Sequence, residues 1–250
     1  MNKTKACLRY GMFICLAVML SPPSLAADER GARIRIALVG DSTVCNYPET
    51  ASQRGWGQLL PEFLADGVVV DNLARGGAST KTFPAKRWQR ALEMKPDYVL
   101  IQFGHNDSHA ADRPEATDAA TDYRDNLRRF VTEARAVGAR PVLVTPVRRR
   151  LFKNGEPTIE LRPYAEAMRA VAVEMDVPLI DLYTDSGKLY AQLGEAGSEA
   201  YTMNHIDLAD RPGNGDRTHF TETGAREMAR LVAIDFAAID ARAVKADLKH

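Results

Sequence analysis

Four short segments carry the residue types of an acyl-transfer site: Gly40-Asp41-Ser42-Thr43, Asn72-Leu73-Ala74-Arg75-Gly76-Gly77, Gly104-His105-Asn106-Asp107 and Asp216-Arg217-Thr218-His219. A serine hydroxyl attacks a carbonyl only when a base lies within hydrogen-bond reach and a third group orients that base. Asp216 and His219 sit three residues apart, a spacing that lets the carboxylate bond one imidazole nitrogen while the other faces a serine. Ser42 is therefore the expected nucleophile, with His219 its base and Asp216 the orienter. The backbone N–H of Ser42, that of Gly77 and the side-chain amide of Asn106 are expected to form the oxyanion hole, since a glycine lets an oxygen come close where a Cβ would block it. Gly76-Gly77 and Asn106 also fit plain turns. Asp41 neighbours the nucleophile on an extended turn, so the two side chains point apart. Its expected job is to bond backbone groups in the surrounding loops. His105 is expected to be a satisfied packing histidine.

Residues this far apart meet only if a regular framework gathers them. Ile34–Val39, Val68–Val70, Tyr98–Phe103, Pro141–Val144 and Val177–Ile180 are short and rich in β-branched residues, as strands buried on both faces are. Between them run helical patterns, the clearest over Thr121–Ala136, Arg162–Met175 and Thr221–Ile239. Gly138 marks a stop after the first, and the Thr221 hydroxyl marks a cap for the last. This alternation predicts an α/β fold: a three-layer α/β/α, flavodoxin-like arrangement of five parallel strands with helices on both faces. Ligands of such sheets bind beyond the carboxyl ends of the strands, where Ser42, Gly77 and Asn106 all fall.

The first 26 residues read as a secretory signal peptide. Lys3, Lys5 and Arg9 precede the apolar run Met12–Leu20, and Ser24-Leu25-Ala26 offers small residues for cleavage. The run is too short to span a bilayer, and no cysteine stands at the cleavage point to take a lipid. A soluble, exported chain with no membrane partner is expected, a single domain over residues 27–250. Cleavage takes three basic and no acidic side chains, leaving 30 basic against 33 acidic, which argues against a nucleic-acid partner. Cys7 and Cys15 leave with the signal, so Cys45 has no partner for an internal disulfide. His105, His109, His205 and His219 show no paired ligand spacing on one helix, so a metal is not expected.

The four segments match the four blocks of the SGNH or GDSL hydrolases, with Ser42, Gly77, Asn106 and His219 on the residues that name that superfamily. Gly40-Asp41-Ser42-Thr43-Val44, Gly55-Trp56-Gly57, Phe103-Gly104-His105-Asn106-Asp107 and Pro141-Val142-Leu143-Val144-Thr145-Pro146-Val147-Arg148-Arg149 are, more narrowly, similar to rhamnogalacturonan acetylesterases. The resemblance implies removal of acetyl groups from pectic and other plant polysaccharides by double displacement, with no metal or organic cofactor. One departure is the second block, Gly77-Ala78-Ser79 where Gly-Arg-Ser is usual, with Arg75 two positions ahead of Gly77.

Arg148, Arg149 and Arg150 follow the fourth strand on the site's edge of the sheet. Their guanidinium forks suit the carboxylates of galacturonate in an acetylated polysaccharide or oligosaccharide, and they fit a solvated basic turn equally. Trp56 and Tyr47 fit either sugar stacking or core packing. Ser108, His109 and Asp112 read as loop composition. A polysaccharide O-acetyltransferase, a GDSL esterase or lipase acting on other acyl esters, and a carbohydrate-binding protein with a relic site remain open alternatives.

Overall fold

The computed structural model describes residues 33–205 and 215–248, all within one compact unit. The expected signal peptide lies outside them. Its strands are β1 (Arg35–Gly40), β2 (Val69–Asn72), β3 (Tyr98–Gln102), β4 (Arg140–Val144), the two-residue β5 (Phe152–Lys153) and β6 (Glu156–Pro157), and β7 (Leu179–Ile180). The helices are α1 (Trp56–Leu59), α2 (Ala85–Glu93), α3 (Asp122–Ala136), α4 (Arg162–Glu174), α5 (Leu182–Gly197) and α6 (Glu222–Ile239). Five strands form one parallel sheet in the order β2-β1-β3-β4-β7, the flavodoxin-like order expected.

Alternation along each strand divides the core in two. Ile36, Leu38, Leu100, Val142 and Val144 pack with Trp56 of α1, Tyr190 of α5 and Met228, Val232 and Phe236 of α6. Ala37, Val39, Val99, Ile101 and Leu143 face the other way, onto Trp88 of α2, Leu127, Phe130 and Val131 of α3 and Met168 and Val171 of α4. These strands read as continuous apolar runs because both faces are covered.

Register places the loops that matter. Gly40, the last residue of β1, pairs with Gln102, the last of β3, so the turns after both strands start level. Beyond β2 the ladder continues through Leu73 N–H to Leu38 O at 2.8 Å and Arg75 N–H to Gly40 O at 2.9 Å, which carries Gly76-Gly77 alongside the Ser42 turn. From below, Trp56 N–H donates to Thr43 O at 2.9 Å. Gly55 permits this approach, because a Cβ there would stand 2.2 Å from the Cys45 carbonyl oxygen.

Elements the sequence patterns left out are α1, α2, α5 and the β5–β6 hairpin. The hairpin turns on Asn154 and Gly155, whose φ values of 54° and 83° suit the mirror-image turn that Asn-Gly favours. Among the described residues no helix is long and apolar enough to cross a membrane.

Candidate active site

Ser42 stands in the turn directly after β1, half-buried. Its Oγ lies 2.9 Å from His219 Nε2, and His219 Nδ1 lies 2.6 Å from Asp216 Oδ2. An ionised carboxylate only accepts, so Nδ1 carries the imidazole proton and Nε2 is left to accept the serine's. Asp216 Oδ1 also accepts from the backbone N–H groups of Thr218 at 2.9 Å and His219 at 3.0 Å. Burial would raise this carboxyl, but the His219 hydrogen bond and charge and these two N–H groups outweigh it and hold it at about 2.

Three neighbours fix the segment that carries His219. Arg54 N–H donates to Phe220 O, Met203 N–H to His219 O and Arg150 N–H to Arg217 O, at 3.0, 3.0 and 2.8 Å. Thr221 then caps α6, its Oγ1 accepting from Gly224 N–H at 3.2 Å, as its sequence position predicts.

Gly77 has φ of +76° and open space where a Cβ would be. Among the described residues neither its N–H nor that of Ser42 has a hydrogen-bond partner. Asn106 Nδ2 donates one hydrogen to Ala78 O at 2.8 Å, which ties the second block to the third and leaves its other N–H. The three expected oxyanion donors thus sit on adjoining turns of one sheet edge.

Asp41 does bond the Ser42 turn. Its Oδ1 accepts from Thr43 N–H at 2.8 Å and Thr43 Oγ1 at 2.7 Å. Thr43 Oγ1 accepts in turn from Gln102 Nε2, whose Oε1 takes the Trp56 indole N–H, each at 2.7 Å. Trp56 is only 1% exposed, so it belongs to the core and is excluded from sugar stacking. Tyr47 donates its hydroxyl to Ser42 O at 2.9 Å. Cys45 is buried and free, its Sγ 3.7 Å from the same carbonyl oxygen. His109 pairs with Glu115 at the surface, Nδ1 to Oε1 2.6 Å.

The arginine run does not act as one unit. Arg150 is 2% exposed and donates from Nε to Thr202 Oγ1 at 3.0 Å and from Nη1 to Glu195 O at 2.7 Å. It braces the end of α5, and the expectation that it binds substrate is corrected. Arg148 lies over the Tyr183 ring, 4.4 Å from its centre, with its Nε buried and unpartnered among the described residues. Arg149 alone of the three reaches the site: its Nη2 donates to His105 O at 3.1 Å, and its charge is felt by Asp41 and Asp216.

Asp107 has a role that the sequence reading missed. Its Oδ1 accepts from Thr80 N–H at 3.1 Å and Thr117 Oγ1 at 3.0 Å, fastening the second block to the third. Burial raises this carboxyl to about 6 despite the hydrogen bonds from Thr80 and Thr117. A carboxyl raised in the folded state holds more protons there than in the unfolded chain. Its contribution is therefore full below the unfolded value of 3.8 and lost as pH rises through about 6. Urea unfolding at about pH 5 and pH 7.5 should show the Asp107→Asn chain lacking a fall of about 1.5 kcal/mol that the native chain shows, roughly half of the full loss. Equal falls would reject a raised Asp107.

Known proteins resemble this chain in sequence and fold. Residues 38–227 match the model of the GDSL-like lipase/acylhydrolase family. The chain belongs to this family. It is 41% identical over 210 residues to the rhamnogalacturonan acetylesterase RhgT of Bacillus subtilis (strain 168), covering 80% of this chain and 88% of that one. To the probable rhamnogalacturonan acetylesterase YesY of the same organism it is 40% identical over 202 residues, 79% and 90% of the two chains. A crystal structure of the Bacillus subtilis protein YxiM superposes with a TM-score of 0.69 at 27% identity, over 83% of this chain and 57% of that one. Membership of the GDSL family, with such relatives, makes this chain a carboxylic ester hydrolase.

Proposed function

We propose that this chain is an exported serine esterase that removes O-acetyl groups from plant cell-wall polysaccharide, and that its polymer is pectic, of the rhamnogalacturonan kind. The observation that carries the chemistry is the unbroken hydrogen-bonded line from Asp216 through His219 to Ser42. The names of the two Bacillus relatives support the substrate, and the sequence of residues 1–26 supports export.

In this reading His219 Nε2 takes the Ser42 proton as Oγ attacks the acetyl carbonyl. The tetrahedral oxyanion is received by Ser42 N–H, Gly77 N–H and the Asn106 amide. The sugar alcohol leaves with the proton returned by His219. Water, deprotonated by the same imidazole, then attacks the acetyl-serine, releasing acetate and restoring the hydroxyl.

Acetate release measured across acetylated rhamnogalacturonan, homogalacturonan and xylan and a small aryl acetate tests the substrate. Preference for rhamnogalacturonan is expected, and a flat profile would remove the pectic assignment. A second measurement concerns Arg149, the arginine at the site. Arg149→Gln removes the charge, and its shorter side chain leaves the His105 carbonyl to Ser108 Oγ. Turnover of pectic polymer should fall by at most about 10- to 100-fold, with the aryl acetate little changed, because a sheltered charge-assisted contact contributes about 1.5–3 kcal/mol and a screened one much less. Equal losses on both substrates would assign Arg149 to the fold.

A further inference from the structure

His105 was expected to be a satisfied packing residue, and half of that expectation fails. Its side chain is 3% exposed and that of Asp41 0%. Nδ1 lies 3.2 Å from Asp41 Oδ2, but Nε2 is buried with no partner among the described residues. Leaving a buried polar atom unpaired costs about 1–3 kcal/mol, so an apolar side chain of similar size would fill this space better. What the imidazole alone supplies is an N–H that crosses from the turn after β3 to the turn after β1. Asp41 Oδ1 is already taken by Thr43, and Oδ2 is the oxygen His105 meets. The carboxyl responds accordingly: burial would raise it, but the charge and hydrogen bond of His105, with the Thr43 bonds, hold it below the usual carboxylate range.

The two residues joined in this way each precede an expected oxyanion donor, Ser42 after Asp41 and Asn106 after His105. The His105 carbonyl is itself held, accepting from Arg149 Nη2 at 3.1 Å and Ser108 Oγ at 2.9 Å. Nδ1 and the carbonyl of His105 therefore tie its loop to two others.

We propose that His105 is a positioning residue, whose Nδ1–H bond to Asp41 sets the spacing between the Ser42 N–H and the Asn106 amide. The inference rests on the esterase reading above. A donor displaced from the oxyanion is lost in the transition state while the ester still binds.

Two amide replacements separate this role from packing. Asparagine places its N–H near the position of Nδ1, and glutamine near that of Nε2. On an aryl acetate His105→Gln should lose kcat on the order of 10²-fold with KM nearly unchanged, and His105→Asn should recover at least about ten-fold of that loss. Phosphonylation of Ser42 by an organophosphonate, followed by mass spectrometry, should slow in parallel, and thermal denaturation of both variants reports the fold separately. If Ser42 of the native chain is phosphonylated and His105→Gln reacts as fast, or if the two variants lose kcat equally, the positioning role is overturned and the esterase reading stands. If Ser42 of the native chain does not react, that reading falls and takes this one with it.

Discussion

Ser42→Ala should lower turnover of an aryl acetate by on the order of 10⁶-fold, leaving the residual rate that binding and the oxyanion donors alone provide. Cys45→Ala is the control, because Cys45 lies three residues beyond Ser42 and its sulfur reaches the same carbonyl. It is buried, so the substitution should cost stability and leave most of the activity. Loss of activity in the cysteine variant, or inactivation of the native chain by a thiol alkylator and not by an organophosphonate, would overturn the assignment. His219→Ala should be about as damaging as Ser42→Ala, and the double variant little worse than either, since the two act as one unit.

Asp216→Asn should cost on the order of 10⁴-fold in kcat with KM little changed. The asparagine can turn its N–H toward Nδ1, which must then accept, and the imidazole proton moves to Nε2. Nothing is left there to take the serine's proton. In the native chain Asp216 titrates at about 2, so it stays ionised while activity disappears on the acid side. The acid limb of kcat/KM should therefore fall with the slope of a single proton, and that proton is not taken up by Asp216. A slope of two, or an Asp216→Asn chain of near-native rate, would show that this carboxylate does not orient the base.

The framework was legible where local and global signals agree. Short β-branched runs flanked by turns gave five strands, because a doubly covered sheet needs apolar residues on both faces. The ends of α3, α4 and α6 lie within a residue or two of the sequence patterns. Helix α2 was missed because only Trp88 and Ala91 of its nine residues are buried. Helix α5 was missed because Gly187 and Gly194 interrupt its pattern, and the chain breaks from helical geometry at Gly194. Asn154-Gly155 was a hairpin signal that went unused.

At the candidate site, the hydrogen-bonded line from Asp216 through His219 to Ser42 was readable, because acyl-transfer chemistry calls for those types at separations a sheet edge can close. The arginines were not, since consecutive residues on irregular backbone point in different directions. Arg148 turns to Tyr183, Arg149 to the His105 carbonyl and Arg150 to Thr202, and no periodicity says which. Asp107 and His105 were undervalued for a related reason: their partners Thr80, Thr117 and Asp41 belong to segments adjacent only in space.

Ser42 and His219 are 177 residues apart in the chain, one leaving the first strand and the other entering the last helix. The pair exists only after β1 is inside the sheet and α6 has closed over it, so a chain still being synthesised has a serine with no base. Such long-range closure comes late in folding because its loop entropy must be met first. Esterase turnover is thereby a clock for the final docking step: in refolding it should appear after the helical signal has reached its plateau.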